Sequence, residues 1–161
     1  MLQKLDFMVR FWQLRARHQA LGAPLSPTER GELWSLLRLV ATDQSLAEAG
    51  PPPSTDHGIP VQLTAPGGFL AGELRRICAE GLVVACARPI IEGGSTVARL
   101  ADAVSGVEYT IPCRVDWSFT GSPSAMGLRV NGEPSRTTFV IPEAGMWRSP
   151  FRRPERASHR A

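Results

Sequence analysis

The side chains best suited to chemistry in this chain are arginines. Arg75 and Arg76 stand side by side in an apolar stretch, and Arg88 and Arg114 lie on segments able to fold beside them. Planar guanidinium forks hold a carboxylate or phosphate through paired hydrogen bonds, so several on one surface would bind an anion. Adjacent residues on a strand point to opposite faces, so only one of Arg75 and Arg76 can serve a given groove. The plainer alternative is solvated charge on a half-exposed strand.

Nucleophilic and metal chemistry find less support. Cys78, Cys86 and Cys113 sit in apolar segments with no CxxC pair and no nearby histidine, which points to buried free thiols rather than a metal site or a disulfide frame. His18, His57 and His159 fall on a helix, a linker and a tail, none beside a Ser, Cys or carboxylate in a nucleophile signature. The run Ile91-Glu92-Gly93-Gly94-Ser95-Thr96 is followed by no Lys and opens no helix, so it fails the needs of a phosphate loop and reads as a hairpin turn. The chain is therefore expected not to be an enzyme and to need no metal or cofactor.

Charge placement decides what the basic balance means. The net charge is +3, yet the segment from Arg148 to Ala161 holds five Arg against one Glu and so carries +4, leaving −1 for residues 1–147. A folded part without a basic face gives no reason to expect nucleic acid as a partner, and the Arg- and Pro-rich tail reads as disordered and solvated.

With 161 residues, 43% hydrophobic and 20% charged, the chain has the size and apolar content of one globular domain, or a small domain with an appendage. No run of about 18 apolar residues could span a bilayer, and the first residues lack a signal-peptide core, so a cytoplasmic location is the default expectation.

Leu2, Leu5, Val9, Trp12 and Ala16, with Phe7, Phe11, Leu14 and Leu21, recur in steps of three and four, which predicts a helix over 2–21. Ser26-Pro27-Thr28-Glu29 is a capping box with Pro at the first helical position, opening a second helix that runs to about Ala49. The short connection predicts an antiparallel helical hairpin over 1–49. Its apolar stripe must be covered in cis by the rest of the chain or in trans, which makes Leu5, Phe7, Val9, Phe11, Trp12 and Trp34 candidates for a partner or homo-oligomer interface.

The Pro-rich linker 50–58 marks a boundary. Beyond it the period becomes two, most clearly at Ile111, Cys113, Val115 and Trp117, with Pro112 signalling an edge or bulge. Further strands are expected at Val61–Thr64, Phe69–Ile77, Leu82–Ala87, Thr96–Leu100, Met126–Val130 and Thr137–Ile141. Their spacing, with Gly at the turns, predicts a small antiparallel barrel or sandwich over 59–147.

Gly81-Leu82-Val83-Val84, Ile90-Ile91-Glu92-Gly93-Gly94, Val97–Leu100, a strand ending in Val115-Asp116-Trp117 and then Gly127-Leu128 follow one another in an order that resembles the PilZ domain. The resemblance covers residues ~59–130 and implies a six-stranded β-barrel, in a family whose members commonly bind cyclic di-GMP in bacterial signalling. Two motifs carry that binding: an Arg-x-x-x-Arg before the first strand and an Asp/Asn-x-Ser-x-x-Gly before the Gly-Leu strand. Here the second aligns with Arg76-Ile77-Cys78-Ala79-Glu80-Gly81, which keeps Gly81 but has Arg76 for the acid and Cys78 for the hydroxyl, while no arginine at all lies between Arg38 and Arg75.

The sequence thus predicts a mainly β protein with an N-terminal helical hairpin, a linker, a six-to-seven-stranded PilZ-like barrel and a basic tail at 148–161. The expected function is that of a non-enzymatic adaptor or regulator working through protein contacts or oligomerisation. Loss of the paired arginines argues against cyclic di-GMP. Should an anionic nucleotide bind, Arg75, Arg76, Cys78, Gly81 and Arg88 are the residues to hold it.

Overall fold

The first apolar stripe folds as α1, Leu2–Gln19, in the computed structural model, which describes residues 1–22, 24–53 and 57–140. The second helix, α2, Pro27–Val40, starts as its sequence dictates: Ser26 Oγ accepts from the Glu29 amide at 3.2 Å, and the Glu29 carboxylate accepts from the Ser26 amide at 2.8 Å. The helices run antiparallel, joined by ion pairs Arg17–Glu29 at 2.6 Å, Arg10–Glu32 at 2.8 Å and Lys4–Asp43 at 3.2 Å.

Helix α2 ends at Val40 rather than near Ala49. Thr42 and Asp43 are poor helix formers that engage the backbone locally. The Thr42 hydroxyl donates to the Leu39 carbonyl at 3.3 Å, and the Asp43 amide donates to that of Val40 at 2.9 Å, a bond one residue tighter than an α-helix makes. Ser45 then caps a single further turn, α3, Leu46–Ala49. The break allows Leu46 and Ala49 to turn inward and become buried.

The period-two segments form strands β1 (Ile59–Ala65), β2 (Gly68–Ile77), β3 (Gly81–Cys86), β4 (Ser95–Asp102), β5 (Val107–Phe119), β6 (Ala125–Val130) and β7 (Ser135–Thr138). Every pairing is antiparallel, and the order β4-β1-β2-β3-β6-β5 closes through β4–β5 into a six-stranded barrel, with β7 added on β5. The protein is mainly β with N-terminal α. The last strand begins earlier than expected, at Ser135; Ile141, linker residues 54–56 and the tail at 148–161 lie outside the described residues.

Two local expectations meet different fates. Pro112 is tolerated within β5 because, on the edge facing away from β4, β7 covers Val107–Thr110 and β6 covers Cys113–Phe119, which leaves Pro112 in the gap between them. The Gly93-Gly94 turn is not a hairpin, since β3 pairs with β2 and β6 and never with β4. It hooks onto β5 instead: the Gly93 amide donates to the Val115 carbonyl, and the Val115 amide to the Gly94 carbonyl, both at 2.8 Å. A φ of +81° at Gly93 makes that reversal a glycine position.

One hydrophobic cluster joins the barrel interior, with Leu63, Leu74, Val84, Leu100, Ile111 and Leu128 among its members, to Leu5, Met8, Val9 and Trp12 of α1. A six-stranded barrel with an open end leaves apolar side chains wet, and α1 covers them at roughly 1.5–3 kcal/mol per large side chain buried. Polar ties at its margin fix the pose. Tyr109 Oη donates to the Asp6 carboxylate at 2.9 Å, Arg136 pairs with the same carboxylate at 2.7 Å, and the Gln13 amide donates to the Pro134 carbonyl at 3.1 Å.

This packing corrects the interface reading of the stripe. Leu5, Val9, Phe11 and Trp12 are buried within the chain itself, and Phe7 is half-buried against the same cluster, so none of the first four presents a surface to a partner. Trp34 alone of the six remains well exposed, at 64%.

Candidate functional site

The segment Arg76-Ile77-Cys78-Ala79-Glu80-Gly81 forms the turn between β2 and β3. Cys78 and Gly81 exchange backbone hydrogen bonds, with the Cys78 amide donating at 2.8 Å and the Gly81 amide at 3.3 Å, so Ala79 and Glu80 form its tip. Three distant parts of the chain meet on those two residues. Trp12 Nε1 of α1 donates to the Ala79 carbonyl at 2.9 Å, the Leu46 amide donates to the Glu80 carboxylate at 2.8 Å, and the Val130 amide donates to the Glu80 carbonyl at 2.9 Å.

Residues 44–49 lie as a strap across this turn. Arg76 Nη1 donates to the Ala49 carbonyl at 2.9 Å and to Gln44 Oε1 at 3.4 Å, while Trp117 Nε1 donates to the Leu46 carbonyl at 2.9 Å. Beneath the strap, Leu46 and Ala49 pack with Cys78 and Val83 in a second small cluster against which Trp117 leans. Short-range order explains why these groups converge. Ser45 starts the α3 turn, a register shift between Leu74 and Arg76 re-aims the end of β2, and Gly127 gives the Trp117 indole room because a Cβ there would collide with the ring.

The expected anion residues are therefore separated in role. Arg76 is committed to the strap. Cys78 is buried, with its thiol pushed up chiefly by desolvation. Gly81 is a packing glycine, since a Cβ at this position would strike the Leu128 carbonyl across the β3–β6 pairing. Arg88 is exposed in the bend after β3, and Arg114 is exposed on β5, where it stands opposite Ser95 and Arg129 rather than near β2.

Arg75 differs from these five. Its Nη2 pairs with Glu73 at 2.8 Å, but Nε and Nη1 are buried and have no acceptor among the described residues. The side chain borders an outer groove of ≈ 510 Å³ that Pro60, Glu73, Ala85 and Ser124 also line.

Among the described residues no other cluster of reactive groups forms. His18 and His57 are exposed, and His159 lies outside the described residues. Cys86 is half-buried with its thiol raised by desolvation, and burial pushes the Cys113 thiol up to about 12, so both carry their protons at neutral pH and are poor nucleophiles. Among the described residues no three His, Cys, Asp or Glu side chains are grouped to hold a metal ion, and no helix is long and apolar enough to cross a membrane.

Sequence reasoning missed three participants: Glu80, Trp117 as a hydrogen-bond donor, and the strap itself. The signal for the strap was present in Thr42-Asp43-Gln44-Ser45, a breaker followed by a cap, but a continued apolar period hid it.

These features define a closed antiparallel barrel that uses its own N-terminal helix as a stopper and its own strap over the β2–β3 turn. No protein-family model matches the chain, and neither a curated protein nor a solved structure does.

Proposed function

We propose that this protein is a non-enzymatic regulatory adaptor, a degenerate PilZ-like barrel that acts through protein–protein contacts and not through a bound nucleotide. The observation that carries the reading is the strap. The turn that aligns with a ligand motif has its arginine, its glutamate and its facing indole all engaged by residues 44–49. A nucleotide seated there would have to remove three hydrogen bonds and uncover Leu46 and Ala49, a cost its own contacts would have to offset. Isothermal titration of the full chain with cyclic di-GMP should show no binding up to high micromolar concentration. Micromolar binding overturns the reading.

A second reading, a receptor for cyclic di-GMP or another anionic nucleotide, takes its support from Arg75. A guanidinium with two buried N–H groups lacking acceptors carries a desolvation penalty of about 1–3 kcal/mol per group, which an anion would relieve. Binding lost in Arg75→Ala and retained in Arg88→Ala would establish it.

A further inference from the structure

If contact with another protein is the function, the surface that makes it should be apolar, exposed and held still. Helix α2 supplies one. Trp34, Leu37 and Ala41 follow in steps of three and four along its outward side, with Trp34 64% and Leu37 42% exposed and Ala41 also exposed. Of the three tryptophans among the described residues, Trp12 is buried and Trp117 leans on the strap, which leaves Trp34 as the solvent-facing one.

Charge on the helix is divided by side. Glu29 and Glu32 turn toward α1 and are neutralised by Arg17 and Arg10. Arg30 and Arg38, one turn before and one turn after Trp34, are exposed and have no carboxylate partner among the described residues. The outward side is thus an apolar centre between two free positive charges. The capping box and the ion pairs to α1 hold it in place, so little ordering is needed when it docks.

We propose that this face docks a helical segment of a partner protein whose own apolar stripe is edged by Asp or Glu. The inference rests on the adaptor reading above. Anchors at i, i+3 and i+7 are the pattern by which one helix lies against another, and carboxylates flanking the partner's stripe would meet Arg30 and Arg38.

A second copy of the chain fits worse. A two-fold contact centred on Trp34 with the helices antiparallel sets Arg30 of one copy against Arg38 of the other, so like charges meet at both ends. For any occupant the helix is only about 21 Å long, and its face falls well short of the ~800 Å² per partner of a standard stable interface. A transient complex of micromolar affinity is the expected kind. A lipid surface would gain only two arginines and one indole, too little for firm attachment.

The test uses the full chain and three probes. These are a labelled amphipathic helical peptide with a Leu stripe edged by Glu, the same peptide with Lys for Glu, and vesicles of phosphatidylglycerol and phosphatidylcholine. The Glu peptide should bind in fluorescence anisotropy and the Lys peptide should not. Trp34→Ala should weaken the Glu peptide about thirtyfold or more, as truncation of a buried tryptophan anchor does. The double variant Arg30→Glu with Arg38→Glu should reverse the preference to the Lys peptide. These residues are exposed, so unchanged thermal unfolding serves as the fold control.

Absence of binding by both peptides, or equal binding of the two, overturns the proposal. So does vesicle binding that Trp34→Ala removes while the Glu peptide stays unbound, and so does a concentration-dependent dimer in light scattering that the same variant dissolves. The cyclic di-GMP titration run on the same sample separates the two claims: heat there refutes the adaptor reading, whereas a silent titration with no peptide selectivity refutes only the face.

Discussion

Helices α1 and α2, of 18 and 14 residues, each carry a tryptophan on an apolar stripe, yet they are held in opposite ways. Trp12 of α1 is 1% exposed, packed in the barrel's cluster and bonded to the Ala79 carbonyl. Trp34 of α2 is 64% exposed, and the only buried residue of its helix is Val40. α1 is fixed by removal of apolar surface from water, whereas α2 leans on α1 through Leu33, Leu36 and Val40 and is pinned by paired charges at Glu29 and Glu32. An amphipathic stripe thus does not announce its own occupant. Here α1 meets the open barrel end and its stripe is buried, while Trp34 and Leu37 of α2 stay exposed.

The largest effect that could break this contrast lies in the two tryptophans. Trp12→Ala should cost about 3–5 kcal/mol, from the cavity left in the cluster and the lost bond to Ala79. Trp34→Ala should stay within about 0.5 kcal/mol, the usual range for a surface change. Urea midpoints at unchanged slope would read both. Comparable losses in the two variants would mean that α2 is part of the core after all.

The strap offers a smaller and more local probe. Trp117→Phe keeps the ring over Gly127 but removes the donor to the Leu46 carbonyl, at a cost of about 1 kcal/mol. Amide exchange should speed up at residues 45–49 and stay unchanged in α1, because the two segments rest on different clusters. Uniform acceleration through both would show that strap and stopper open as a single unit.

What could be foreseen divides along the same line. Strand positions and the capping box were legible because each depends on residues adjacent in the chain: alternation at Ile111, Cys113 and Val115, and Ser26 with Glu29 three residues on, whereas the irregularity between Val115 and Trp117 that puts the indole in the strap's cluster was not. That alternation left barrel and sandwich open, because closure rests on the pairing of β1 with β4 and of β3 with β6. Contacts between distant segments were not legible. Nothing local says that Arg76 would meet the carbonyl of Ala49 or that Glu80 would meet the amide of Leu46, and the Gly93-Gly94 turn resembled a hairpin until the strand order placed β3 and β4 apart. The stripe of α1 was visible as apolar, but whether it faced inward depended on a barrel end that only the three-dimensional fold defines.

The smallest effect is the sharpest on mechanism, because acid should loosen the charge-pinned α2 while leaving the apolar seat of α1 in place. The Glu29 carboxyl is held below the usual range first by the Ser26 amide and then by Arg17, and that of Glu32 by Arg10. A carboxyl depressed in the folded state stabilises fully above its ordinary value of about 4.3 and loses that contribution as pH falls through the lowered one. As pH falls below the ordinary carboxyl range and through the lowered values of Glu29 and Glu32, the pins between α1 and α2 should therefore be lost. The apolar burial that seats α1 has no such titration, although the Asp6 carboxylate at its margin, tied to Tyr109 and Arg136, is a charge contact as well. Amide shifts followed by NMR from pH 6 to about 3 should move in α2 and hold in the buried positions of α1, and salt near 1 M, where the screening length is about 3 Å, should shift α2 in the same direction at neutral pH. If α2 stays put through both, its position owes nothing to charge, and Leu33, Leu36 and Val40 alone hold the face that carries Trp34.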